Sequence, residues 1–183
     1  MEERFEPVLS AARGGAEWAW GELYREHAPA VLGYLRARRA PDPEDVLGEV
    51  FLQLARDLPR FEGDAGAFRA WVFTVAHNRL LDDLRKRRRR PQTEGGHALE
   101  ELDGGVGDVE EEALTTLREQ QIAEIIARLS PDQQTVVLLR VIADLTVEQV
   151  ARVIGKRPGA VKALQRRGLA ALAAELSKEG VTL

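Results

Sequence analysis

Residues 94–117 carry eight Asp or Glu and no Lys or Arg, and two Gly-Gly pairs stand among them, Gly95-Gly96 and Gly104-Gly105. Such a segment cannot join a packed core, because self-repelling carboxylates and the conformational freedom of glycine both favour irregular, solvated chain. It divides the 183 residues into a longer N-terminal and a shorter C-terminal part, and each must bury its own apolar surface. We expect a first domain at 1–91, a flexible acidic linker at 92–113 and a second domain at 114–178. The division also changes what the net charge of -4 means for partners. Residues 1–93 sum to +1, residues 94–117 to -8 and residues 118–183 to +3. The acid is concentrated between two mildly basic parts, so a nucleic-acid partner remains open to both.

Both parts read as helical. Aromatic residues are only 5% of the chain, Ala and Leu are abundant, and no stretch sustains period-two alternation, so no sheet is expected. Before the linker, apolar spacing predicts four helices, at Ala16 to His27, Ala30 to Arg39, Pro43 to Leu58 and about Ala67 to Arg88. The third opens with Asp42 as a cap and Pro43 at the first helical position. Its stripe is Leu47, Phe51, Leu54 and Leu58, and Pro59 ends it. The fourth has Phe68, Val72, Val75, Leu80 and Leu84 on its stripe, and Pro91 stops it. Between them, Arg60 to Gly66 is a loop by composition. After the linker, Leu114 to Leu129 is amphipathic. Ser130-Pro131-Asp132-Gln133 and Thr146-Val147-Glu148-Gln149 are capping boxes. The first opens a helix through Val137, Leu138, Val141 and Ile142, and the second opens a short one to Ile154. Gly155 is a C-cap, and Pro158 restarts a helix to about Leu176. The expected fold class is all-α, with two small helical domains joined by the flexible linker.

Several function classes fall away. The chain has no cysteine, which removes disulfides and thiolate zinc sites. His27, His77 and His97 lack ligand spacing, so no metal and no cofactor is expected. No apolar run approaches the roughly 18 residues of a membrane span, and the N-terminal MEERFEP lacks the apolar stretch of a signal peptide. We expect a cytoplasmic protein without direct membrane insertion. Nor is an enzyme expected. Glu44, Asp45 and Glu49 could be imagined as nuclease carboxylates, but on a helix they read as a capped, solvated surface. No glycine-rich phosphate loop or Ser/His/Asp arrangement is present.

Thr146 to Leu172 has the proportions of a helix-turn-helix: a short helix, a tight turn at Gly155-Lys156-Arg157, then a longer helix. Val161, Leu164, Leu169 and Leu172 are expected towards the core, and Lys162, Arg166 and Arg167 outward. In this motif the second helix lies in the major groove with its N-terminal residues nearest the bases. The cations bind phosphates and release counterions. Arg157, Lys162, Ala163 and Arg166 are the candidate base contacts, and Gln165 could read adenine if it faces the groove. A plain helical hairpin with solvated cations is the simpler alternative.

In the N-terminal part, Arg85 to Arg90 is a run of six cations, a density that calls for a polyanion or open solvent. Upstream, His77 and Asn78 offer hydrogen-bonding groups, and the loop from Phe61 to Gly66 offers an aromatic and a pliable backbone. Aromatic and polar groups beside a basic track suit unpaired bases. Trp71 and Phe73 fit either a core or a stacking platform.

Three segments together resemble one family, the extracytoplasmic-function (group IV) sigma factors of bacterial RNA polymerase. Asp42-Pro43-Glu44-Asp45-Val46-Leu47-Gly48-Glu49-Val50-Phe51-Leu52 resembles the polymerase-docking helix of region 2. Phe68 to Arg85 resembles the promoter-melting and minus-ten helix. Leu129-Ser130-Pro131-Asp132-Gln133-Gln134 and the following helix-turn-helix resemble region 4. The resemblance covers about residues 17 to 176. It implies a factor that directs core polymerase to specific promoters and promotes their opening. Asp45, Glu49, Gln53 and Arg56 would bind the coiled coil of the polymerase clamp, and the second domain would meet the flap. Phe61, Gly63 and Asp64 would hold a flipped minus-ten base. Asn78, Arg79, Arg85, Lys86, Arg87 and Arg88 would contact duplex and strand there, with Trp71 and His77 alongside. Arg157, Lys162, Gln165, Arg166 and Arg167 would serve the minus-thirty-five element. Promoter DNA and an anti-sigma factor are the implied partners besides polymerase.

The chain departs from the family at two places. Gly48 stands where a polar residue is usual, and Ala163-Leu164-Gln165 stands where Ser-Arg-Leu is frequent. The linker has a physical use under this reading. About 20 extended residues reach ~70 Å, close to two turns of duplex at ~34–36 Å each. A helix-turn-helix regulator that acts on duplex DNA without polymerase accounts for residues 129 to 176. It leaves the Asp42 to Leu58 stripe and the Phe68 to Arg90 helix unexplained.

Overall fold

The computed structural model describes residues 2–89 and 124–178. It opens on a helix that the sequence reading leaves out. α1 (Glu2–Arg13) buries Phe5, Val8, Leu9 and Ala12, a helical stripe that the charged MEERFEP context and Pro7 disguise. α2 (Glu17–Ala37) replaces the two helices expected between Ala16 and Arg39. Pro29 does not break it. Leu23, His27, Val31 and Tyr34 form one buried stripe on both sides of the proline, and the packing of that stripe outweighs the one backbone bond that proline removes.

The remaining starts fall close to where side-chain chemistry puts them. In α3 (Pro43–Asp57), Asp42 accepts from the Asp45 amide at 3.0 Å and Pro43 fills the first turn. A single 3-10 turn, Leu58–Arg60, follows. α4 (Ala65–Arg89) starts two residues earlier than expected, because Asp64 Oδ1 accepts from the Ala67 amide at 2.7 Å and caps it. Of the helix expected at Leu114 to Leu129, only its last turn, 124–127, is among the described residues. The expected linker, 92–113, lies outside them. α5 (Pro131–Val141) and α6 (Val147–Ile154) each carry a reciprocal capping box, at Ser130/Gln133 and Thr146/Gln149. Gly155 ends α6 in the left-handed conformation, and α7 (Pro158–Lys178) follows.

α4 is the centre of the N-terminal bundle, where Phe68, Val72, Phe73, Val75, Ala76 and Leu80 are buried against α1, α2 and α3. In the C-terminal bundle α7 crosses α5 at Gly168. A Cβ there would lie 2.8 Å from Val137 Cγ2, so the crossing requires glycine. One expected core position is corrected. Leu169 is 45% exposed, because α7 turns Val161, Leu164, Gly168 and Leu172 inward instead. The bundles are not separate bodies in this structure. α6 packs on α4, α5 meets α2, and the buried residues of both bundles form one continuous core. Among the described residues no helix is long and apolar enough to cross a membrane.

Candidate nucleic-acid interface

Three surfaces bear on function. The first is the outer face of α3. Asp45, Glu49, Gln53 and Arg56 recur at helical spacing, with Asp45 and Arg56 exposed and Glu49 and Gln53 half-buried. They do share one face, as their spacing predicts. Gly48 is exposed among them with open space around it. Leu52, at 59% exposure, stands beside them, and Tyr24 of α2 packs on Phe51 at a ring separation of 4.6 Å. Sequence reading passed over Leu52 and Tyr24. Leu52 was legible as the one leucine of α3 off its core stripe.

The second surface is the loop between the 3-10 turn and α4. The rings of Phe61 and Trp71 stack 5.0 Å apart and 14° from parallel, and both meet buried Phe68 edge-on. Trp71 is thus both things at once: a half-buried wall of the core and one side of an aromatic stack. Gly63 has φ of +148°, and a Cβ there would lie 2.7 Å from the Ala67 Cβ, so only glycine allows the loop its close return to α4. Gly63 and Asp64 are exposed beside the stack. The Arg13 guanidinium donates to the Phe61 carbonyl, so α1, absent from the sequence reading, pins this loop.

Along α4 beyond the loop, the expected strand-facing residues separate. Asn78, Lys86 and Arg87 are exposed, and Arg85 is exposed and paired with Asp82 at 3.0 Å. Arg79 reaches back to α3. The side chain of Arg88 falls outside the described residues. His77 is a correction. It is only 7% exposed, and its Nδ1 lies 2.8 Å from the Tyr34 hydroxyl. Helical geometry turns it a full 100° from Asn78 and into the bundle. Burial, and secondarily the Arg38 guanidinium, push its pKa from 6.5 down to about 4, so the neutral ring accepts and the tyrosine hydroxyl donates. Burial also raises the Tyr34 hydroxyl far above its ordinary value.

The third surface is the helix-turn-helix, α6 and α7. Arg157, Lys162 and Arg166 are exposed, and Lys162 and Arg166, four residues apart, share a side of α7. Arg167 is exposed on the other flank, with Nε donating to the Ala163 carbonyl at 3.3 Å. Gln165 is half-buried and lies between Lys162 and the inward Val161 around the helix. Lys156 pairs with Asp132 at 2.9 Å and closes the turn against α5.

Sequence comparison agrees with this layout. Residues 23–90 match the model of Sigma-70 region 2, and residues 119–172 match Sigma-70 region 4. The chain is 32% identical over 180 residues to the ECF RNA polymerase sigma factor ShbA of Streptomyces griseus, covering 91% of this chain and 92% of that one. The chain belongs to the ECF RNA polymerase sigma factors. It is also 31% identical to the sigma factor BldN of Streptomyces coelicolor across 93% of its own length, and it spans 65%, just under two thirds, of that relative. In fold it is similar to CnrH, solved in complex with the cytosolic domain of CnrY, with a TM-score of 0.67 over 93% of this chain and 96% of that one at 22% identity. As a sigma factor, it directs RNA polymerase in transcription initiation. Its region 2 match holds the first two surfaces and its region 4 match holds the third.

Two contacts join the surfaces of this sigma factor across its bundles. Gln149, whose Oε1 accepts from the Thr146 amide at 2.7 Å, turns its Nε2 outward to donate to the Gly66 carbonyl at 3.1 Å. The cap of α6 therefore also holds the first turn of α4. Arg38 Nη1 donates to the Pro131 carbonyl at 3.2 Å and to Gln134 Oε1 at 2.8 Å, tying α2 to the start of α5. Neither contact was legible in sequence, since each joins residues more than 80 positions apart.

Proposed function

We propose that the outer face of α3 docks on the clamp coiled coil of core polymerase, while the loop at Phe61, Gly63 and Asp64 holds an unpaired minus-ten base. Asn78, Arg85, Lys86, Arg87 and Arg88 follow the sugar-phosphate track of that element. Arg157, Lys162 and Arg166 meet the minus-thirty-five duplex, and region 4 also meets the flap. The observation that carries this reading is the placement of the α3 face and the aromatic loop on one packed pair of helices, α3 and α4. A protein docked through one presents the other to DNA.

Binding energy does the work, with no covalent step and no enzymatic turnover. Extruding a base costs a few kcal/mol, and stacking returns about 1–3 kcal/mol per base. The balance is near even, so small differences in base contacts decide whether a promoter opens. The Phe61–Trp71 stack keeps apolar ring surface assembled beside exposed Gly63 and Asp64 before any base arrives.

The packed bundles cannot serve both elements at once. Two duplex turns span ~70 Å, whereas the bundles here share a core. We infer that they part during promoter binding, that the domain boundaries lie near 91 and 114, and that 92–113 tethers them. The chain works in the cytoplasm, and a partner of the anti-sigma kind restrains it. The similar CnrH forms a complex with the cytosolic domain of CnrY, which supports a protein partner for this chain as well.

The test is in vitro transcription with purified core polymerase, followed by start-site mapping and by Glu49→Lys. The sigma factor should confer start sites that core alone lacks. Glu49→Lys should weaken core binding about tenfold or more, by placing a cation where a carboxylate docks. Equal core affinity in wild type and variant would remove α3 from the docking surface.

A further inference from the structure

One side chain crosses between α3 and α4 at the docking face. Arg79 Nε donates to Gln53 Oε1 at 2.9 Å, and Nη1 donates to Glu49 Oε2 at 3.4 Å. The two acceptors stand one helical turn apart on α3. The fixed fork of a guanidinium serves both from two separate nitrogens, whereas a lysine offers its donors from one nitrogen and cannot reproduce that geometry. Among the α4 cations expected to meet DNA, Arg79 stands apart. Lys86 and Arg87 are exposed, and Arg85 pairs within its own helix. The groove between α3 and α4, about 360 Å³, is lined by four carboxylates, Asp45, Glu49, Asp82 and Asp83, and by three cations, Arg79, Arg85 and Lys86. Arg79 is the cation that reaches Glu49, while Arg85 pairs with Asp82.

We propose that Arg79 is a positioning residue for polymerase docking: it acts through Glu49 and Gln53, holding both in one geometry before polymerase arrives, and it makes no contact with minus-ten DNA. This rests on the docking role proposed above for α3. Glutamate and glutamine are rotamer-rich, and an interface loses affinity when such side chains must be ordered at the moment of binding. Ordering them beforehand removes that cost. Arg79 also makes the docking helix and the minus-ten helix one rigid unit at this point.

The test uses the full chain, core polymerase and a minus-ten single-stranded oligonucleotide. Arg79→Ala and Arg79→Lys should each weaken core affinity by about tenfold, the scale of ordering two long side chains at an interface. At saturating core, both should bind the oligonucleotide as wild type does. In a Glu49→Ala, Gln53→Ala background, Arg79→Ala should add no further loss of core affinity, because the groups it acts through are gone. Thermal melting confirms that each variant is folded, and Arg79→Lys keeps the charge and the aliphatic stem should the alanine variant unfold. Wild-type core affinity in Arg79→Lys overturns the proposal. So does a loss confined to oligonucleotide affinity, or an undiminished effect in the double-alanine background. If Glu49→Ala, Gln53→Ala itself leaves core affinity unchanged, it is the docking role of α3 that fails, and the two failures are separate.

Discussion

Lowering the pH should destabilise this protein through His77. Its imidazole is buried against the Tyr34 hydroxyl and beside Arg38, and its pKa falls from 6.5 to about 4. The folded-state value lies below the unfolded one, so as pH falls the unfolded chain takes up the proton first. The contribution is complete above about pH 6.5 and is lost progressively as pH falls to about 4. At 1.36 kcal/mol per tenfold, the full span is about 3 kcal/mol, and about 2 kcal/mol is gone by pH 5. That is a large part of the 5–15 kcal/mol of an ordinary domain. Burial also lowers the pKa of His27, despite the opposing bond to the Leu23 carbonyl, so its effect has the same sign. The cavity beside His77, about 220 Å³, is shared by both bundles and also receives Lys156 and Asp132. Asp132 is already paired with Lys156, so a new imidazolium would find no free counter-charge there.

The assay is urea unfolding of wild type and His77→Gln at pH 7.5 and pH 5. Glutamine offers the Tyr34 hydroxyl an acceptor and does not titrate. Wild type should lose about 2 kcal/mol more than the variant between the two pH values, by the arithmetic above. Equal losses in the two proteins would show that His77 does not hold its proton-free state in the fold, and the buried Tyr34–His77 pair would have no part in acid sensitivity.

Gln149→Glu keeps an acceptor for the Thr146 amide but removes the donor to the Gly66 carbonyl. Combined with Arg38→Ala it should widen the distance between fluorophores on the two bundles, each lost hydrogen bond being worth about 0.5–1.5 kcal/mol, and an unchanged distance would deny these contacts a latching role. Lys162→Ala should weaken binding to a minus-thirty-five duplex and reduce the salt slope by about one, whereas an unaltered slope would take Lys162 off the phosphates. Gly168→Ala should cost about 1–3 kcal/mol in chemical denaturation by overpacking α7 on α5. A neutral result would mean that Val137 moves aside freely.

How much of this was legible in the chain depended on the range of the interaction. Helix starts at Pro43, Pro131 and Val147 are decided by a residue and its neighbour three positions on, and Asp42, Ser130 and Thr146 cap as their chemistry requires. The face shared by Asp45, Glu49, Gln53 and Arg56 follows from helical period alone. Pro29 shows where local rules lose. Separate helices are expected on its two sides, yet the Leu23 to Tyr34 stripe packs across it, and tertiary burial overrides one missing amide. The misplacement of Leu169 has a similar origin, since Gly168, not a leucine, makes the close approach to α5.

The division of labour along α4 was the least legible part. His77, Asn78 and Arg79 are consecutive, and by composition all three suit a nucleic-acid surface. The helix sends them in three directions, 100° apart: His77 inward to Tyr34, Asn78 to solvent, Arg79 sideways to α3. Which direction meets a partner depends on where α2 and α3 pass, and that is fixed by contacts 26 to 43 positions away in sequence. A basic or polar run thus reveals that a helix faces something charged. It does not reveal which of its members are already engaged within the protein.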